Sequence, residues 1–251
     1  MQTIRQGDNN PQVKNWQFFL IGLGYNHITA DGDFGPRTYA ASVDFQTKNG
    51  LGSDGAVGEK TYLKAFHLGY RLKEAFDFPD KPDFNPLVGN KTRAAIFGSF
   101  RFRSAGDGTE AIIITDDWES KNIEGRVIPQ LASVPGMPPS GKVRFHKKGI
   151  NQLANLFADW EKAGHKSLVL TWGGSYVPRF IRGSRSVLSN HSFGTAFDVN
   201  VAWNGLGQVP ALVGEKGSVR EMVKIAHKNG FYWGGHFSRL DGMHFEIAKL
   251  L

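Results

Sequence analysis

A turn motif that occurs twice within the first 67 residues constrains the fold more than any other feature of the chain. Residues 31–38 read DGDFGPRT, and residues 54–61 read DGAVGEKT. Recurrence of a short unit marks a repeated supersecondary element, whose copies pack together because neither buries a hydrophobic face alone. We therefore expect each copy to lead from a glycine-bearing turn into a helix.

Three short helices are predicted around this repeat. Apolar residues recur at helical spacing before the first copy, where Pro11 suits the first turn of a helix. Pro36 begins the second helix, and residues 59–66 form the third. Residues 1–67 are thus predicted to be a small, independent, all-α domain. Its expected core consists of Trp16, Phe19, Phe45, Leu51 and Val57.

A proline-rich segment separates this domain from the remainder of the chain. Residues 77–86 read DFPDKPDFNP, and prolines at this density stiffen and extend a chain. We predict a linker over residues 68–90 and a second domain over residues 91–251. Residues 91–146 combine a short predicted strand at residues 111–115 with loops rich in Pro and Gly, and they give little indication of function.

The pattern becomes more regular after Lys148. Apolar runs predict strands at residues 167–172, 231–233 and 243–247. The sequence SVRE at residues 218–221 is a capping box and predicts the start of a helix. Helices beside a mostly antiparallel sheet make this second domain α+β. One further helical face is formed by Ile150, Leu153, Phe157 and Trp160.

Composition restricts the chemistry of the chain. It has no cysteine, so any metal must be bound by His, Asp or Glu. The net charge is +7, and the whole excess lies after residue 67, because residues 1–67 carry equal numbers of basic and acidic residues. A basic surface favours an acidic partner, but these residues are scattered and no nucleic-acid-binding motif accompanies them. We expect a monomer that does not bind nucleic acid.

Two of the eight histidines lie in segments with carboxylates at short spacing. Residues 189–198 read SNHSFGTAFD and hold His191 and Asp198, while residues 241–246 read DGMHFE and hold His244. Residues seven apart face opposite sides of a continuous strand, so a turn or bulge is needed to bring the first histidine and its carboxylate together. Two histidines and one carboxylate, with water as the fourth ligand, form a common catalytic zinc shell.

Spacing alone leaves alternatives for these residues. A lone histidine is more often a structural residue than a ligand, so the same set can be purely structural. His236, in a GGHF turn eight residues before His244, is an alternative ligand or a contact for substrate. The remaining histidines have no paired acids near them in the sequence.

The two segments together resemble a known signature. The pattern SxHxxGxAxD at residues 189–198, followed by DxxH at residues 241–244, resembles that of the zinc D-alanyl-D-alanine carboxypeptidases and L-alanyl-D-glutamate endopeptidases, which cleave peptidoglycan stem peptides. The likeness covers roughly residues 145–248 and includes WGGSYVPRFIR at residues 172–182. The N-terminal repeat resembles the three-helix peptidoglycan-binding domain often joined to such enzymes.

The resemblance implies a role for each matching residue. His191, Asp198 and His244 match the ligands of Zn²⁺, and Asp241 matches an acidic base that takes a proton from water and passes it to the leaving amine. Glu246 competes with it, because on a strand Glu246 shares the face of the last histidine. It is a candidate base, a partner of the ligand or a substrate contact.

An arginine upstream of the first motif matches the group that stabilises developing negative charge. Arg179 and Arg182 compete for this role, and we favour Arg179. An extended segment places residues three apart on opposite faces, so we expect only one of the two to face the metal. Arg182, Ser189, His236 and Trp233 are the further candidates for contacts with substrate.

The resemblance therefore implies a zinc-dependent peptidase that acts on bacterial peptidoglycan. No stretch approaches the ~20 apolar residues of a membrane span, and the polar first ten residues do not form a signal peptide. We expect a phage-type endolysin that is made in the cytoplasm and acts on the cell wall after release. The alternatives are a bacterial wall-remodelling carboxypeptidase and a non-catalytic wall-binding protein with a structural zinc ion.

Overall fold

The computed structural model of the chain describes residues 2–70 and 78–251. Its internal contacts divide the chain into two compact units, Met1–Phe78 and Pro79–Leu251. Of the predicted linker, residues 71–77 lie outside the described residues. Helices in the first unit, and helices with antiparallel sheets in the second, confirm the predicted α+β fold class.

The N-terminal unit contains the three predicted helices, α1 (Pro11–Gly22), α2 (Pro36–Lys48) and α3 (Glu59–His67). The side chain of Asn10 caps α1 by accepting hydrogen bonds from the N–H groups of Gln12 and Val13. Trp16 is fully buried, and the ring of Phe45 meets it edge-on at 5.3 Å. The predicted core is confirmed, with Trp16, Phe19, Phe45 and Val57 buried and Leu51 packed against them.

A buried glutamine of α1 holds the first copy of the turn motif. Gln17 is 1% exposed, and its side-chain amide reaches across to the turn. Its carbonyl oxygen accepts the N–H of Gly32 at 2.8 Å. Its amide nitrogen lies within 3.0 Å of three acceptors, namely Oδ1 of Asp31, the carbonyl oxygen of Asp33 and the hydroxyl of Thr38.

The second copy of the turn motif is held by the same network. Gln46 of α2 is also 1% exposed, and its carbonyl oxygen accepts the N–H of Gly55 at 2.8 Å. Its amide nitrogen donates to Oδ1 of Asp54, the carbonyl oxygen of Ala56 and the hydroxyl of Thr61. The sequence repeat is therefore a repeated way of fixing a turn to the preceding helix.

The described residues of the C-terminal unit form four helices and eight strands. The helices are α4 (Asn90–Phe97), α5 (Trp118–Asn122), α6 (Ile150–Lys162) and α7 (Arg220–Lys228). The strands are β1 (Phe102–Ser104), β2 (Ile112–Ile114), β3 (Ile123–Val127), β4 (Lys142–His146), β5 (Trp172–Gly174), β6 (Ala196–Val199), β7 (Phe231–Trp233) and β8 (His244–Ile247). They pair as β1–β2, as β3–β4 and as a four-stranded sheet in the order β5-β6-β8-β7, and every pair is antiparallel.

The four-stranded sheet has an aromatic face and a polar face. Phe197 of β6 and Phe245 of β8 are paired and stacked at 5.4 Å, and both contact Trp160 of α6. Successive residues of a strand point to opposite faces. Asp198 and His244, which form the next pair along these strands, therefore lie side by side on the face away from α6.

The strand predicted at residues 167–172 is wrong for all but its last residue. A 3-10 helix spans Lys166–Leu168, and β5 begins only afterwards. The buried side chain of Asn200 is the reason, because its Oδ1 accepts the N–H groups of Leu170 and Thr171. This amide takes the backbone groups that a neighbouring strand would otherwise pair.

The predicted capping box at residues 218–221 is replaced by a side-chain pair. The hydroxyl of Ser218 donates to the carboxylate of Glu221 at 2.6 Å, and α7 begins at Arg220. The other carboxylate oxygen of Glu221 accepts the N–H of Gly214 at 2.7 Å. Glu221 therefore does not accept the backbone N–H of Ser218, as it would in a capping box.

Candidate metal centre and active-site cavity

His191, Asp198 and His244 meet on the polar face of the four-stranded sheet. A 3-10 helix, Asn190–Phe193, carries the first histidine, and Gly194 then turns the chain into β6 with a left-handed φ of 65°. A Cβ atom at this glycine would lie 2.6 Å from a side-chain carbon of β3, so both conformation and space favour glycine. The turn predicted between the histidine and the carboxylate is confirmed.

The atoms that face each other in this cluster form a nearly equilateral triangle. Nε2 of His191 lies 3.2 Å from Nδ1 of His244 and 3.3 Å from Oδ1 of Asp198, and the other two atoms are 3.0 Å apart. A tetrahedral zinc ion with bonds of about 2.0–2.1 Å holds its ligand atoms about 3.3 Å apart. Among the described residues, this is the one group of three or more His, Asp or Glu side chains arranged to hold a metal ion.

The partners of the two imidazoles fix which nitrogens carry protons. Nδ1 of His191 lies 2.7 Å from the carbonyl oxygen of Ser175, which can only accept, so this nitrogen donates. Nε2 of His244 in the same way donates to the carboxylate of Glu246 at 3.0 Å. In its neutral form, each ring therefore directs an unprotonated nitrogen at the carboxylate of Asp198. Three acceptors at this separation need a cation between them, and an N₂O donor set suits zinc.

The electrostatics of the cluster also favour a positive charge at its centre. Burial opposes ionisation of Asp198, but His191 and His244 outweigh it and hold the pKa of Asp198 far below its ordinary value. Burial likewise opposes a charge on His244, yet hydrogen bonds to Asp198 and Glu246 raise its pKa to about 10. The two carboxylates stabilise a cation at this imidazole, whether a proton or a metal ion.

Asp241 lies in the same cavity and has a carboxylate oxygen without a partner. Its Oδ1 is buried and accepts no hydrogen bond from any described residue. Burial raises the pKa of Asp241 above its ordinary value. Buried polar atoms are nearly always satisfied, so an unsatisfied carboxylate oxygen that lines a cavity makes Asp241 a candidate functional group.

A tight turn after β7 positions Asp241. The N–H of Asp241 donates to the carbonyl oxygen of Gly234, and the N–H of His244 donates back to the carbonyl oxygen of Asp241, both at 3.0 Å. A Cβ atom at Gly234 would lie 2.4 Å from that carbonyl oxygen of Asp241. Trp233 is fully buried, and its indole donates to Gly242 at 2.8 Å. The expectation that Trp233 contacts substrate is corrected by this position, since its ring supports the turn from inside the core.

Arg179 and Arg182 both line the cavity, and Arg179 is the one whose charge acts on Asp241. Arg182 lies in a turn that is closed by a hydrogen bond from the N–H of Ser184 to the carbonyl oxygen of Ile181. Arg179 precedes this turn, and the first motif follows it. Arg182 is exposed, whereas Arg179 is half-buried. The hydroxyl of Ser192 accepts from the N–H of Arg179 at 2.8 Å and donates to its carbonyl oxygen at 2.5 Å.

The remaining predicted residues occupy distinct positions around the cavity. Ser189 lines it and accepts the N–H of His191, which caps the 3-10 helix. His236 lines it too, outside the metal cluster, and burial lowers its pKa to about 3. Glu246 is 3% exposed and holds His244 from behind, which is the position of a partner of the ligand.

Sequence reasoning missed two arginines of this cavity. Arg93 of α4 and Arg239 after β7 both line it, and the cavity has a volume of about 680 Å³. The first lies in the region to which the sequence analysis gave little function. The sequence gives no local sign that this region reaches the cavity. The contact that places α4 there joins Asn90 to Leu188, which is 98 residues further along the chain.

Comparison with known protein families gives two matches, one in each unit. Residues 182–247 match the family model described as "D-alanyl-D-alanine carboxypeptidase". Residues 9–64 match the model described as "Putative peptidoglycan binding domain". One segment of the chain is thus similar to peptidoglycan-binding domains, and another is similar to D-alanyl-D-alanine carboxypeptidases. The resemblance inferred from the sequence, to zinc D-alanyl-D-alanine carboxypeptidases with an N-terminal peptidoglycan-binding domain, is confirmed.

Two curated relatives are similar over part of the chain. The zinc D-Ala-D-Ala carboxypeptidase of Streptomyces albus G is 34% identical over 68 residues, which are 26% of this chain and 27% of that protein. An uncharacterised protein of the bpoA1 3′ region of Kitasatospora aureofaciens is 44% identical over 62 residues, 24% of this chain and 52% of that protein. The chain therefore spans about half of one relative and about a quarter of the other.

Two solved structures are also similar over 27% of this chain. A peptidoglycan-binding protein from Clostridioides difficile, in complex with glutamine hydroxamate, is 43% identical with a TM-score of 0.26 and is covered over 42% of its length. The N-terminal domain of SleB is 36% identical, also with a TM-score of 0.26, and is covered over 92% of its length.

Within the described residues, no helix combines the length and the apolar character needed to cross a bilayer.

Proposed function

We propose that the chain is a zinc-dependent peptidase that hydrolyses amide bonds in the stem peptides of bacterial peptidoglycan. The observation that carries this proposal is the proximity of two unlike groups in one cavity. His191, Asp198 and His244 present three acceptors at the separations of a zinc shell, and Asp241 presents an unpartnered carboxylate oxygen to the same space. The family matches of both units support the same class of substrate.

In this proposal the metal site and Asp241 divide the work of hydrolysis. His191, Asp198 and His244 would hold the zinc ion, which would supply a Lewis acid for the activation of water and the polarisation of the scissile carbonyl. Oδ1 of Asp241 receives the proton of the attacking water and then delivers it to the amine that leaves. A carboxylate with a raised pKa suits both halves of this transfer, because it holds the proton between the two steps.

Arg179 is proposed to stabilise the negative charge that develops on the carbonyl oxygen. It is half-buried, its backbone is fixed by Ser192, and its charge lowers the pKa of Asp241 against the larger raising effect of burial. A charge that is held in place before the reaction costs no reorganisation when the oxyanion forms. Arg182, exposed at the mouth of the cavity, together with Ser189 and His236, is proposed to contact the substrate peptide.

The N-terminal unit is proposed to hold the enzyme on the wall without cutting it. Its doubled turns are occupied by Gln17 and Gln46, so binding would use the outer surface of the unit rather than the turn interiors. The inactive variant Asp241→Asn should sediment with purified walls. A version without residues 1–70 that sediments equally well would contradict this assignment.

The biological setting proposed is a phage-type endolysin, made in the cytoplasm and released to the wall. A bacterial wall-remodelling carboxypeptidase is the alternative, and the bond cut is L-Ala–D-Glu or D-Ala–D-Ala. Mass spectrometry of fragments from digested peptidoglycan distinguishes them, because the first cleavage frees peptides that begin with D-Glu and the second releases only D-alanine. Absence of any new amine or fragment with zinc-loaded protein would contradict the proposed function.

A non-catalytic wall-binding protein with a structural zinc ion is the second candidate. Structural zinc sites are closed by four protein ligands, whereas this cluster has three. A structural site also has no use for the buried, unpartnered oxygen of Asp241. Both observations favour the enzyme.

A further inference from the structure

Arg93 is a buried cation beside the proposed metal centre, outside the segment that matches the carboxypeptidase family. It lies on α4, is 7% exposed and lines the active-site cavity. Of its nitrogens, Nη1 donates to the carbonyl oxygen of Leu188 at 2.9 Å, while Nε is buried without a partner. Burying a guanidinium costs free energy unless an opposite charge lies nearby.

Attachment of α4 to the first motif does not require this charge. Asn90, one turn earlier on the helix, already donates to the carbonyl oxygen of Ser186 and accepts the N–H of Leu188, both at 2.8 Å. These two neutral hydrogen bonds fix the helix against the segment that leads into Ser189. The charge of Arg93 therefore needs another explanation than anchoring.

Glu246 provides the opposite charge. This carboxylate is 3% exposed and lines the same cavity as Arg93. Burial lowers the pKa of Arg93, and the charge of Glu246 opposes that lowering. The other partners of Glu246 are Nδ2 of Asn190 and Nε2 of His244. Both are neutral donors when His244 binds a metal through Nδ1, so neither balances the charge of the buried carboxylate, whereas Arg93 carries a positive charge that does.

We propose that Arg93 is a positioning residue of the metal centre, which acts through Glu246 to hold His244 with Nδ1 facing the metal. The proposal rests on the proposed function, because it assigns Arg93 a role toward the zinc ion that His191, Asp198 and His244 would hold. A buried glutamate without its counter-charge gains by turning toward the open cavity and solvent. His244 would then lose the acceptor that fixes its ring and its tautomer.

Zinc affinity of the full chain, measured by competition with a chelator, tests this role. Arg93→Gln removes the charge but keeps a donor for Leu188, whereas Arg93→Lys keeps the charge. Loss of an outer partner of a metal ligand typically weakens metal binding about 10–100-fold. We expect Arg93→Gln to weaken zinc binding about tenfold, at the lower end of this range because Arg93 acts on His244 only through Glu246. Arg93→Lys should restore most of the loss.

A matched control and a double-variant cycle separate this role from general destabilisation. Arg220 is 3% exposed in the same unit and donates to the carbonyl oxygen of Pro210, but it does not line the cavity. Arg220→Gln should lower the melting temperature and leave zinc affinity unchanged. In the Glu246→Gln background there is no carboxylate to balance, so adding Arg93→Gln should cost no further affinity.

The outcomes distinguish failure of this inference from failure of the proposed function. Equal zinc affinity of the wild type and Arg93→Gln, or the same loss with and without Glu246→Gln, would overturn the role of Arg93 while zinc binding stands. A wild-type chain that binds no zinc would overturn the proposed function itself.

Discussion

Buried polar side chains occur in both units of the chain, but their hydrogen-bond partners differ. In the N-terminal unit, Gln17 and Gln46 each use both ends of the amide to hold a turn. In the C-terminal unit, Oδ1 of Asp241 and Nε of Arg93 are buried without a partner. A polar network that closes on itself stabilises a fold, whereas one left open has capacity for a ligand, a metal ion or a proton.

This contrast separates two motifs that look alike in the sequence. Both contain Asp-Gly pairs, at residues 54–55 in the repeat and at residues 241–242 before the last ligand. Asp54 is engaged by Gln46 and by the N–H of Ala56. Asp241, by contrast, faces a cavity. The same dipeptide is structural in one unit and a candidate base in the other, and the difference lies in what surrounds it.

The largest effect expected from this contrast is at Asp241. Asp241→Asn removes the proton acceptor but keeps the shape of the side chain, so kcat on a soluble stem peptide should fall about 10²–10⁴-fold, the scale of general acid–base catalysis. Zinc content should remain that of the wild type, because Asp241 is not in the ligand triangle. If the variant lost its zinc and Glu246→Gln alone abolished turnover, the roles of the two acids would have to be exchanged.

Arg179 and Arg182, which both line the cavity, should differ in their effect on turnover. Arg179→Ala removes a half-buried charge that acts electrostatically on Asp241, and it should lower kcat ~10²-fold, as removal of an oxyanion donor does. Arg182→Ala removes an exposed side chain at the mouth and should change kcat little while raising KM. Steady-state kinetics of both, with zinc content checked, measures the difference. Near-wild-type kcat in both variants would mean that neither arginine stabilises the oxyanion.

The closed network of the N-terminal unit should respond in stability rather than in activity. Gln46→Met keeps the side-chain volume but leaves the N–H of Gly55 without its acceptor, which should cost on the order of 2 kcal/mol in the free energy of unfolding of this unit. Gln17→Met, at the matching position of the first copy, should cost a similar amount. Hydrogen exchange of residues 2–70 measures the loss. A fall in hydrolysis of a soluble peptide by either variant would break the proposed separation of roles.

The C-terminal unit should lose stability in mild acid. Burial lowers the pKa values of His146 and His227 to about 4 and that of His236 to about 3, whereas an unfolded chain binds these protons near pH 6.5. Between pH 6.5 and 4 the unfolded state therefore holds more protons, and unfolding becomes easier as the pH falls. Hydrogen exchange of residues 78–251 in metal-free protein should show this, and His227→Phe should reduce the slope. A flat profile would contradict the burial of these rings.

The sequence predicts local patterns of this molecule well and its long-range contacts poorly. The repeat gives α1 to α3, because proline and glycine punctuate helices through backbone geometry alone. The spacing of the two histidine motifs leaves alternatives open, and their resemblance to the zinc carboxypeptidase signature predicts the three residues that the structure brings together. The sequence does not predict the hydrogen bonds of Asn200 to residues 29 and 30 positions earlier, which replace a predicted strand. It also does not predict the hydrogen bond of Arg93 to Leu188, 95 residues away. Such contacts depend on how elements pack, and no neighbouring residue marks them.

Zinc stoichiometry measured together with hydrolysis tests the central claim most directly. The wild-type chain should bind one zinc ion, lose wall hydrolysis when a chelator removes it and regain it when zinc is restored. His191→Ala should bind none and remain inactive, since one corner of the triangle is then missing. Full hydrolysis by the metal-free wild type, or unchanged zinc binding by His191→Ala, would contradict the assignment of this cluster as the catalytic metal centre.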